Sequence, residues 1–474
     1  MGVLLAGAVA LTCFTACNSS TQENSSTTTD GASEAASQEE NSETEAATIR
    51  LAHLYDPGTG VATDDLSYEW LEKGIENFEA NNPGCTVELE YYKYDEMDTK
   101  YMSDYQSGVE HDVLITTSML FPQHYAVGDL LNLQPYVDQW DQAEVEDFSW
   151  NPVWDICCDD GDVYGIPLGL HIRGLVYRKD LFEQAGIEEV PTTFDQWTEA
   201  AEKISALSTA DNPIYGSGLF YCYNGQNQSV IQRFGTDYMI TGNEEDGFEA
   251  NLLDNQAFAD AMIWMKNLYD NGYNPQETDI DSMMAAGQIG LMTNGGWLKG
   301  TLDASGINYG IASLPTVTGE DQKEYALGDM SSFMITTSAT DETAKAAEEF
   351  INWWMTGTGL EACETTQDVD YSNVTPNAEW SISMCYLNAY LPTVNSKEYQ
   401  AVDVLVDLTP SETAQVQMFT APGTLFYSDA ASCQGDYVQD WVFNGPTDPT
   451  YDDVQDFFAD YQADLEDYIA DYYD

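Results

Sequence analysis

Residues 49–55, Ile-Arg-Leu-Ala-His-Leu-Tyr, form an apolar run of strand length, and the pattern that follows them decides the fold. An apolar stripe at helical spacing comes next, from Leu66 to Phe78. Residues 86–92 then alternate between apolar and polar side chains, and residues 112–116 form a short apolar strand. This β-α-β-α-β order predicts an α/β fold with an open parallel sheet and helices on both of its faces.

The loops after the first and third predicted strands are the first candidates for a binding site. Ligands of open parallel sheets bind beyond the carboxyl ends of the strands. Here those loops begin at Tyr55-Asp56 and at Thr116-Thr117-Ser118. The alternative for Asp56-Pro57-Gly58 is a simple turn that binds nothing.

A second α/β unit begins after Pro167. Residues 174–177 predict a strand, and Thr193 with Gln196 forms a capping box, Thr-x-x-Gln, that opens a helix. Further amphipathic helices are predicted around residues 344–354 and 454–472. Trp197 and Trp354 lie within such apolar stripes, so both are predicted to be core residues.

The charge balance excludes several classes of function. Of 474 residues, 14 are Lys or Arg and 82 are Asp or Glu, which gives a formal net charge of −68 at pH 7. Binding to nucleic acid or to an anionic lipid surface requires a basic face, which this composition does not supply. The charge indicates either a solvated acidic surface or an acidic pocket for a cationic ligand.

The sequence contains no metal or catalytic motif. Its four histidines are scattered, and no two lie four residues apart as a helical metal pair requires. It has no phosphate-binding loop, nucleophile elbow or dinucleotide fingerprint. Asp159-Asp160-Gly161-Asp162 is too short for a calcium loop and instead predicts a hairpin turn. We therefore assign no cofactor, no metal site and no catalytic residue.

The first 47 residues predict export and a lipid anchor. Residues 1–16 contain a small apolar run that suits a signal peptide and is too short for a permanent membrane span. Phe14-Thr15-Ala16-Cys17 looks like a bacterial lipobox, in which Cys17 is lipidated; an ordinary signal peptide with an incidental Cys is the alternative. Residues 17–47 are polar and acidic, cannot bury a core, and predict an extended tether.

Five segments occur in an order that is typical of one family. The longest is 175–187, Leu-Val-Tyr-Arg-Lys-Asp-Leu-Phe-Glu-Gln-Ala-Gly-Ile, which continues at 191–197 as Pro-Thr-Thr-Phe-Asp-Gln-Trp. The others are 162–167 (Asp-Val-Tyr-Gly-Ile-Pro), 286–297 (Ala-Gly-Gln-Ile-Gly-Leu-Met-Thr-Asn-Gly-Gly-Trp), 309–315 (Tyr-Gly-Ile-Ala-Ser-Leu-Pro) and 346–351 (Ala-Ala-Glu-Glu-Phe-Ile). Over about residues 48–360 the chain resembles the extracellular solute-binding proteins of ABC importers, in the family that mostly binds sugars and oligosaccharides. It departs from the family pattern at Asp162, where Lys is usual.

The resemblance implies a two-lobed periplasmic-binding-protein-like fold, in which each lobe is an open sheet flanked by helices and the ligand lies in the cleft between them. Lobe 1 would comprise residues 48–167 and 306–352, and lobe 2 residues 168–305 and 353–474. The implied protein is a monomer without catalytic activity. It would be anchored at the outer face of the cell membrane and would deliver a carbohydrate to a membrane permease.

The expected ligand contacts lie on both lobes and on the segments that cross between them. They are Tyr55, Asp56, Thr116, Thr117, Ser118, His171, Arg173, Tyr221, Tyr223, Gly296, Trp297, Asp329 and Ser331. Because Trp297 follows two glycines, we expect a tight turn that holds its indole in open space, where it would stack on a sugar ring; a core position is the alternative. Tyr221 and Tyr223 are equally well explained as core residues, and Arg173 as the partner of one of the many carboxylates.

Two other functions stay open at this point. Related two-lobed proteins bind polyamines, and such a cationic ligand would suit the net charge. A lipid-anchored glycoside hydrolase with two catalytic carboxylates belongs to a different class. Binding and hydrolysis measured on one saccharide panel would separate the three.

Overall fold

A computed structural model describes the folded part of the chain. The described ranges are residues 47–58, 62–93, 96–117, 121–149, 153–159, 161–221, 224–235, 240–243, 247–276, 279–320, 325–357, 375–409, 415–418 and 427–473. The predicted signal peptide, Cys17 and nearly all of the tether lie outside these residues.

Fourteen strands occur in the described ranges. They are β1 (Ala47–His53), β2 (Cys85–Tyr91), β3 (Val113–Thr117), β4 (Cys158–Asp159), β5 (Asp162–Val163), β6 (Ile166–Arg178), β7 (Tyr215–Gly218), β8 (Ile240–Asn243), β9 (Gly247–Ala250), β10 (Ile289–Gly295), β11 (Tyr309–Ala312), β12 (Tyr325–Ile335), β13 (Leu387–Asn388) and β14 (Gln415–Met418).

Eighteen α-helices accompany these strands in the same ranges. They are α1 (Ala62–Asn81), α2 (Met97–Ser107), α3 (Phe121–Val127), α4 (Gln134–Val137), α5 (Gln142–Phe148), α6 (Val153–Ile156), α7 (Lys179–Ala185), α8 (Phe194–Ser205), α9 (Asn224–Arg233), α10 (Gln256–Asp270), α11 (Ile280–Ala285), α12 (Lys299–Ala304), α13 (Asp341–Thr356), α14 (Pro376–Met384), α15 (Leu391–Val394), α16 (Asp403–Leu408), α17 (Tyr427–Asn444) and α18 (Tyr451–Tyr473).

The first strands confirm the predicted parallel order, but the sheet as a whole is mixed. Strand β1 pairs in parallel with β2 and with β3. Strand β12 then joins β3 in antiparallel orientation, which corrects the prediction of a wholly parallel sheet. Local periodicity could not show this, because residues 118–324 separate β3 from β12 along the chain.

Strand β6 crosses from one half of the main sheet to the other. The strand order along the sheet is β2-β1-β3-β12-β6-β10-β7. The first part of β6 pairs antiparallel with β12, and the last part, residues 173–178, pairs antiparallel with β10 and β11. Residues on β6 therefore contact both halves of the molecule.

Two large hydrophobic cores belong to these two halves. The first contains residues of β1, β3, α1 and α13 and includes Trp70, Trp354 and Trp380. The second contains residues of α8, α10, α17 and α18 and includes Trp197 and Trp441. The prediction that Trp197 and Trp354 are core residues is confirmed, since both are buried.

Two local predictions are confirmed as well. The Thr193 side chain accepts a hydrogen bond from the Gln196 backbone and the Gln196 side chain accepts one from the Thr193 backbone, which is the predicted capping box of α8. Strands β4 and β5 pair antiparallel, as the hairpin at residues 159–162 predicts, although Asp160 itself lies outside the described residues. Within the described ranges, no cluster of His, Cys, Asp and Glu could hold a metal ion, and no helix is long and apolar enough to cross a membrane.

Candidate binding site at the crossing strand

Strand β6 brings several predicted site residues onto one face of the sheet. Ser331 of β12 lies opposite Gly169 of β6 on one side and opposite Thr117 of β3 on the other. Residues directly opposite each other share a face, and so do residues two apart on one strand. His171 therefore lies on this face too, and its Nε2 is 3.1 Å from Ser331 Oγ. Thr117, Ser331 and His171 together form what we call the polar row.

Arg173 continues the polar row into the other half of the sheet. It lies two residues beyond His171 and opposite Gly295 of β10. Its side chain is buried, and the guanidinium carbon lies 5.2 Å from the centroid of the Trp297 ring. This distance is typical of a cation–π contact, so Arg173 contributes to the position of the indole.

Five aromatic side chains form a continuous series of ring contacts around β6, which we call the aromatic cluster. In order of contact its members are Tyr55, Trp380, Tyr386, His171 and Trp297. The ring centroids of successive members lie 6.2, 5.0, 4.7 and 6.2 Å apart. The aromatic cluster therefore connects the end of β1 with the end of β10.

The two ends of the aromatic cluster differ in exposure. Only 3% of Tyr55 and 1% of Trp380 is exposed, so these two rings form a buried end. Tyr386, His171 and Trp297 are partly exposed and form an accessible end. Apolar ring faces beside the polar row suit a ligand that itself has an apolar face and a polar rim.

His171 is uncharged at neutral pH. Burial, together with the nearby positive charge of Arg173, lowers the pKa of its imidazole to about 3. A neutral imidazole offers one donor and one acceptor nitrogen. His171 can therefore exchange hydrogen bonds with a hydroxyl group, whereas it cannot form an ion pair with an anion.

The two glycines before Trp297 do not form the tight turn that the sequence predicts. Neither has a positive φ angle, and the indole is not held in open space. A Cβ atom at Gly295 would overlap the Trp297 ring, and one at Gly296 would overlap the carbonyl oxygen of Cys385. The glycines thus give the indole room to fold back over the end of β10 and let the segment at Cys385 approach closely.

Two of the predicted site residues lie apart from this group. Thr116 lies opposite Ser332, which puts it on the other face of the sheet from Ser331. Tyr221 is buried in the second core, where its hydroxyl donates to the carbonyl of Met265 at 3.4 Å. Of the two interpretations of Tyr221, its burial favours the core residue.

The remaining predicted residues are placed only in part. Asp56 follows Tyr55 and leads into a turn in which Gly58 has a φ of +82° and donates its N–H to Asp65 at 2.6 Å. The backbone of Asp329 lies opposite His171 in the β12–β6 ladder. The Asp329 side chain, Ser118 and Tyr223 lie outside what the structure describes.

The sequence analysis missed Trp380 and Tyr386. Both come from α14 and the segment after it, which the short strand β13 attaches to β6 through Leu387 opposite Leu170. The Trp380 ring then lies against Gly169, where a Cβ atom would be 3.1 Å from it. The two aromatics were visible in the sequence, but no local pattern indicates that their segment pairs with β6.

A buried carboxyl group lies beside the aromatic cluster. Glu379 precedes Trp380 in α14 and is 1% exposed, and neither of its carboxyl oxygens has a hydrogen-bond partner among the described residues. Burial raises the pKa of Glu379 to about 9. The group is therefore protonated at pH 7 and adds no negative charge to the buried end.

Comparison with known proteins gives one family. Residues 73–380 match the family described as bacterial extracellular solute-binding protein. The matched range begins in α1 and ends in α14, so it contains the polar row and three of the five rings of the aromatic cluster, His171, Trp297 and Trp380.

Individual relatives and solved structures point the same way. A binding protein of Brucella abortus is 26% identical over 300 residues, which is 60% of this chain and 68% of the relative. The maltotriose-binding protein of Pyrococcus abyssi is 28% identical over 201 residues, 41% of each chain. The sugar-binding protein MalE of Xanthomonas citri superimposes with a TM-score of 0.69 at 18% identity, covering 90% of this chain and 98% of its own. This likeness confirms the predicted two-lobed fold.

Proposed function

The chain belongs to the bacterial extracellular solute-binding proteins, and we propose that its solute is a carbohydrate, a neutral oligosaccharide. The family consists of binding proteins rather than enzymes, which agrees with the expectation of no catalysis. The proposed function requires no cofactor, because the capture and release of a sugar break no covalent bond.

The accessible end of the aromatic cluster is the observation that carries this proposal. Sugar rings have an apolar face that stacks on aromatic rings, and Tyr386, His171 and Trp297 present such rings. In the polar row, His171 is partly exposed and can offer its imidazole to the sugar hydroxyls, whereas Thr117 and Ser331 are buried, with Ser331 hydrogen-bonded to His171. The similar proteins of Pyrococcus abyssi and Xanthomonas citri, a maltotriose-binding and a sugar-binding protein, add support.

We propose that the ligand is held by closure of the two lobes. A sugar that contacts rings from both halves of the sheet binds the closed form more tightly than the open form, and so it selects closure. We place residues 48–167 and 306–352 in lobe 1, and 168–305 and 353–474 in lobe 2. The packing of Trp380 in the first core favours moving α14 to lobe 1. The closed form would then dock on an ABC permease.

The charges near the site favour a neutral ligand over a polyamine. Arg173 is positively charged and lies against Trp297, and His171 and Glu379 are neutral at pH 7. A polyamine would bring its own positive charges towards Arg173. The large negative charge of the chain is then a property of its solvated surface.

A thermal-shift and calorimetry panel tests this function. Maltotriose and other neutral oligosaccharides are compared with spermidine, and each saccharide is recovered afterwards by chromatography. We expect one or more saccharides to raise the melting temperature, because they bind only the folded chain, and to be recovered intact. A rise in melting temperature with spermidine alone would contradict the proposal. Shortened saccharide products would instead support the glycoside hydrolase.

We further propose that the protein is exported and held at the outer face of the cell membrane by a lipid on Cys17, as a monomer on its acidic tether. Cys17→Ala removes the thiol that carries the lipid, so we expect the variant to appear in the medium. Membrane fractionation measures this. A variant as membrane-bound as the parent would contradict the lipobox.

A further inference from the structure

Strand β6 contains one residue more than its partner β12 at the point where the polar row begins. Ser331 lies opposite Gly169, but the next residue, Ser332, lies opposite Pro167, so Leu168 faces no residue of β12. Strand β12 keeps a regular register with β3 through the same two serines. The irregularity is therefore a β-bulge in β6 at Leu168.

The backbone carbonyl of the bulged residue is held by a side chain from another segment. Nδ2 of Asn377, in the first turn of α14, donates to the Leu168 oxygen at 2.9 Å. Both residues are buried. A carbonyl oxygen can only accept, so the amide group of Asn377 must face it with its nitrogen.

Asn377 is itself held in place from the same side. Nδ2 of Asn388 donates to the Asn377 carbonyl at 3.3 Å and to Ser381 Oγ at 2.8 Å. Asn388 in turn lies opposite Gly169 in the β13–β6 pairing. Oδ1 of Asn377 has no partner among the described residues. An amide side chain that is buried without hydrogen-bond partners costs stability. The bond that the Asn377 amide donates to Leu168 therefore indicates a specific role for this side chain, beyond filling space.

The bulge decides which face of the sheet His171 and Arg173 occupy. Side chains alternate along a strand, so a shift of one residue turns every following side chain to the opposite face. If the extra residue at Leu168 moved into the ladder, the side chain of His171 would turn away from Ser331 and lose its hydrogen bond. The side chain of Arg173 would likewise lose its contact with Trp297. The polar row and the accessible end of the aromatic cluster therefore depend on this bulge.

We infer that Asn377 is a positioning residue of the binding site, which holds the bulge at Leu168 and so keeps His171 and Arg173 facing the ligand. It acts through Leu168 and needs no contact with the ligand. The consequence for binding rests on the proposed function, whereas the consequence for the strand does not.

The test is Asn377→Ala with two readouts. Hydrogen exchange of the backbone amides of residues 168–173 reports on the bulge, and calorimetry with maltotriose as the probe reports on the site. We expect exchange at these amides to rise, and maltotriose affinity to fall, each by about tenfold, the scale of one buried carbonyl left without its hydrogen bond. Parental exchange at residues 168–173 would overturn the inference. A parent protein that does not bind maltotriose would contradict the choice of sugar and leave the exchange test intact.

Thr375→Ala is the matched control. Thr375 caps the same helix through Oγ1, which accepts from the Ala378 N–H at 3.0 Å, and this bond does not involve Leu168. We expect a lower melting temperature with unchanged exchange at residues 168–173 and unchanged affinity. If Thr375→Ala showed the same changes as Asn377→Ala, the effect of Asn377 would be explained by its contribution to the stability of the helix alone. Should Asn377→Ala not fold, Asn388→Ala removes the hydrogen bonds of Asn388 to Asn377, Ser381 and Tyr390 but leaves the amide of Asn377 on Leu168. It should raise exchange at the same amides by a smaller factor, and no rise there would overturn the inference too.

Discussion

The buried and accessible ends of the aromatic cluster contain the same residue type in two different situations. Trp380 and Trp297 both pack on Tyr386, with ring centroids 5.0 and 6.5 Å from it. Trp380 lies within the first core against Gly169, whereas Trp297 is partly exposed and folds over Gly295. An aromatic residue in such a cluster is therefore not by itself a ligand contact, since its exposure decides whether it can touch a ligand.

The largest expected effect comes from the buried end. Trp380→Ala removes a buried indole and leaves a cavity between α14 and β6, so the free energy of unfolding should fall by about 3–5 kcal/mol. Urea unfolding at pH 7 measures this. A variant of parental stability that has lost its affinity for sugar would make Trp380 a ligand contact and remove the distinction between the two ends.

The accessible end should show the opposite balance. Trp297→Ala removes a stacking surface, so binding should weaken by about 1–3 kcal/mol, or roughly tenfold to a hundredfold. Its melting temperature should stay close to that of the parent. Calorimetry with the saccharide that stabilises the parent most gives the affinity.

Trp353→Ala is the control for Trp297→Ala. Trp353 is also partly exposed, but it packs on Phe78 at 5.8 Å in the first core region and is not a member of the aromatic cluster. We expect its removal to leave affinity unchanged. Equal losses of affinity in both variants would mean that neither indole acts by stacking on the ligand.

The difference between these tryptophans also separates what the sequence predicts from what it does not. Trp197 and Trp354 lie in stripes at helical spacing, and such stripes identify the buried face of a helix without knowledge of its partner. The ordered motifs of the family likewise identify the two-lobed fold. The position of Trp380 depends on β13 pairing with β6, and the face occupied by His171 depends on the bulge at Leu168. Both are long-range contacts, which local periodicity does not encode.

The stability of the protein should also depend on pH with opposite signs through Glu379, which lies beside the buried end, and through His171 of the accessible end. Glu379 has a folded-state pKa of about 9, above the value of about 4.3 for an unfolded Glu, so stability falls as pH rises between these values. His171 has a folded-state pKa of about 3, below the value of about 6.5 for an unfolded His. Its contribution to stability is therefore present above about pH 6.5 and is lost as pH falls towards 3.

Glu379→Gln tests the alkaline side of this difference. The variant cannot ionise, so it should be more stable than the parent at pH 8 by on the order of 1–2 kcal/mol, with a shallower loss of stability between pH 6 and 9. Urea unfolding across this pH range measures both. His171→Gln is the control, because it should change only the acidic side. A parental slope in Glu379→Gln would show that its carboxyl group is not kept neutral in the folded chain.

The smallest expected effect is that of salt on affinity. A neutral oligosaccharide bound by ring stacking and hydrogen bonds forms no ion pair, so screening has nothing to weaken. At the accessible end His171 is neutral, and the charge of Arg173 lies against the Trp297 ring rather than towards a charged ligand group. Affinity measured by calorimetry at low ionic strength and at about 1 M salt, where the Debye length is about 3 Å, should therefore agree closely.

A polyamine, in contrast, would lose affinity many-fold over the same range. A many-fold loss for the true ligand would make the accessible end an electrostatic site and exclude the neutral sugar. It would leave the stability effects of Trp380 and Glu379 unchanged, because those depend on burial alone.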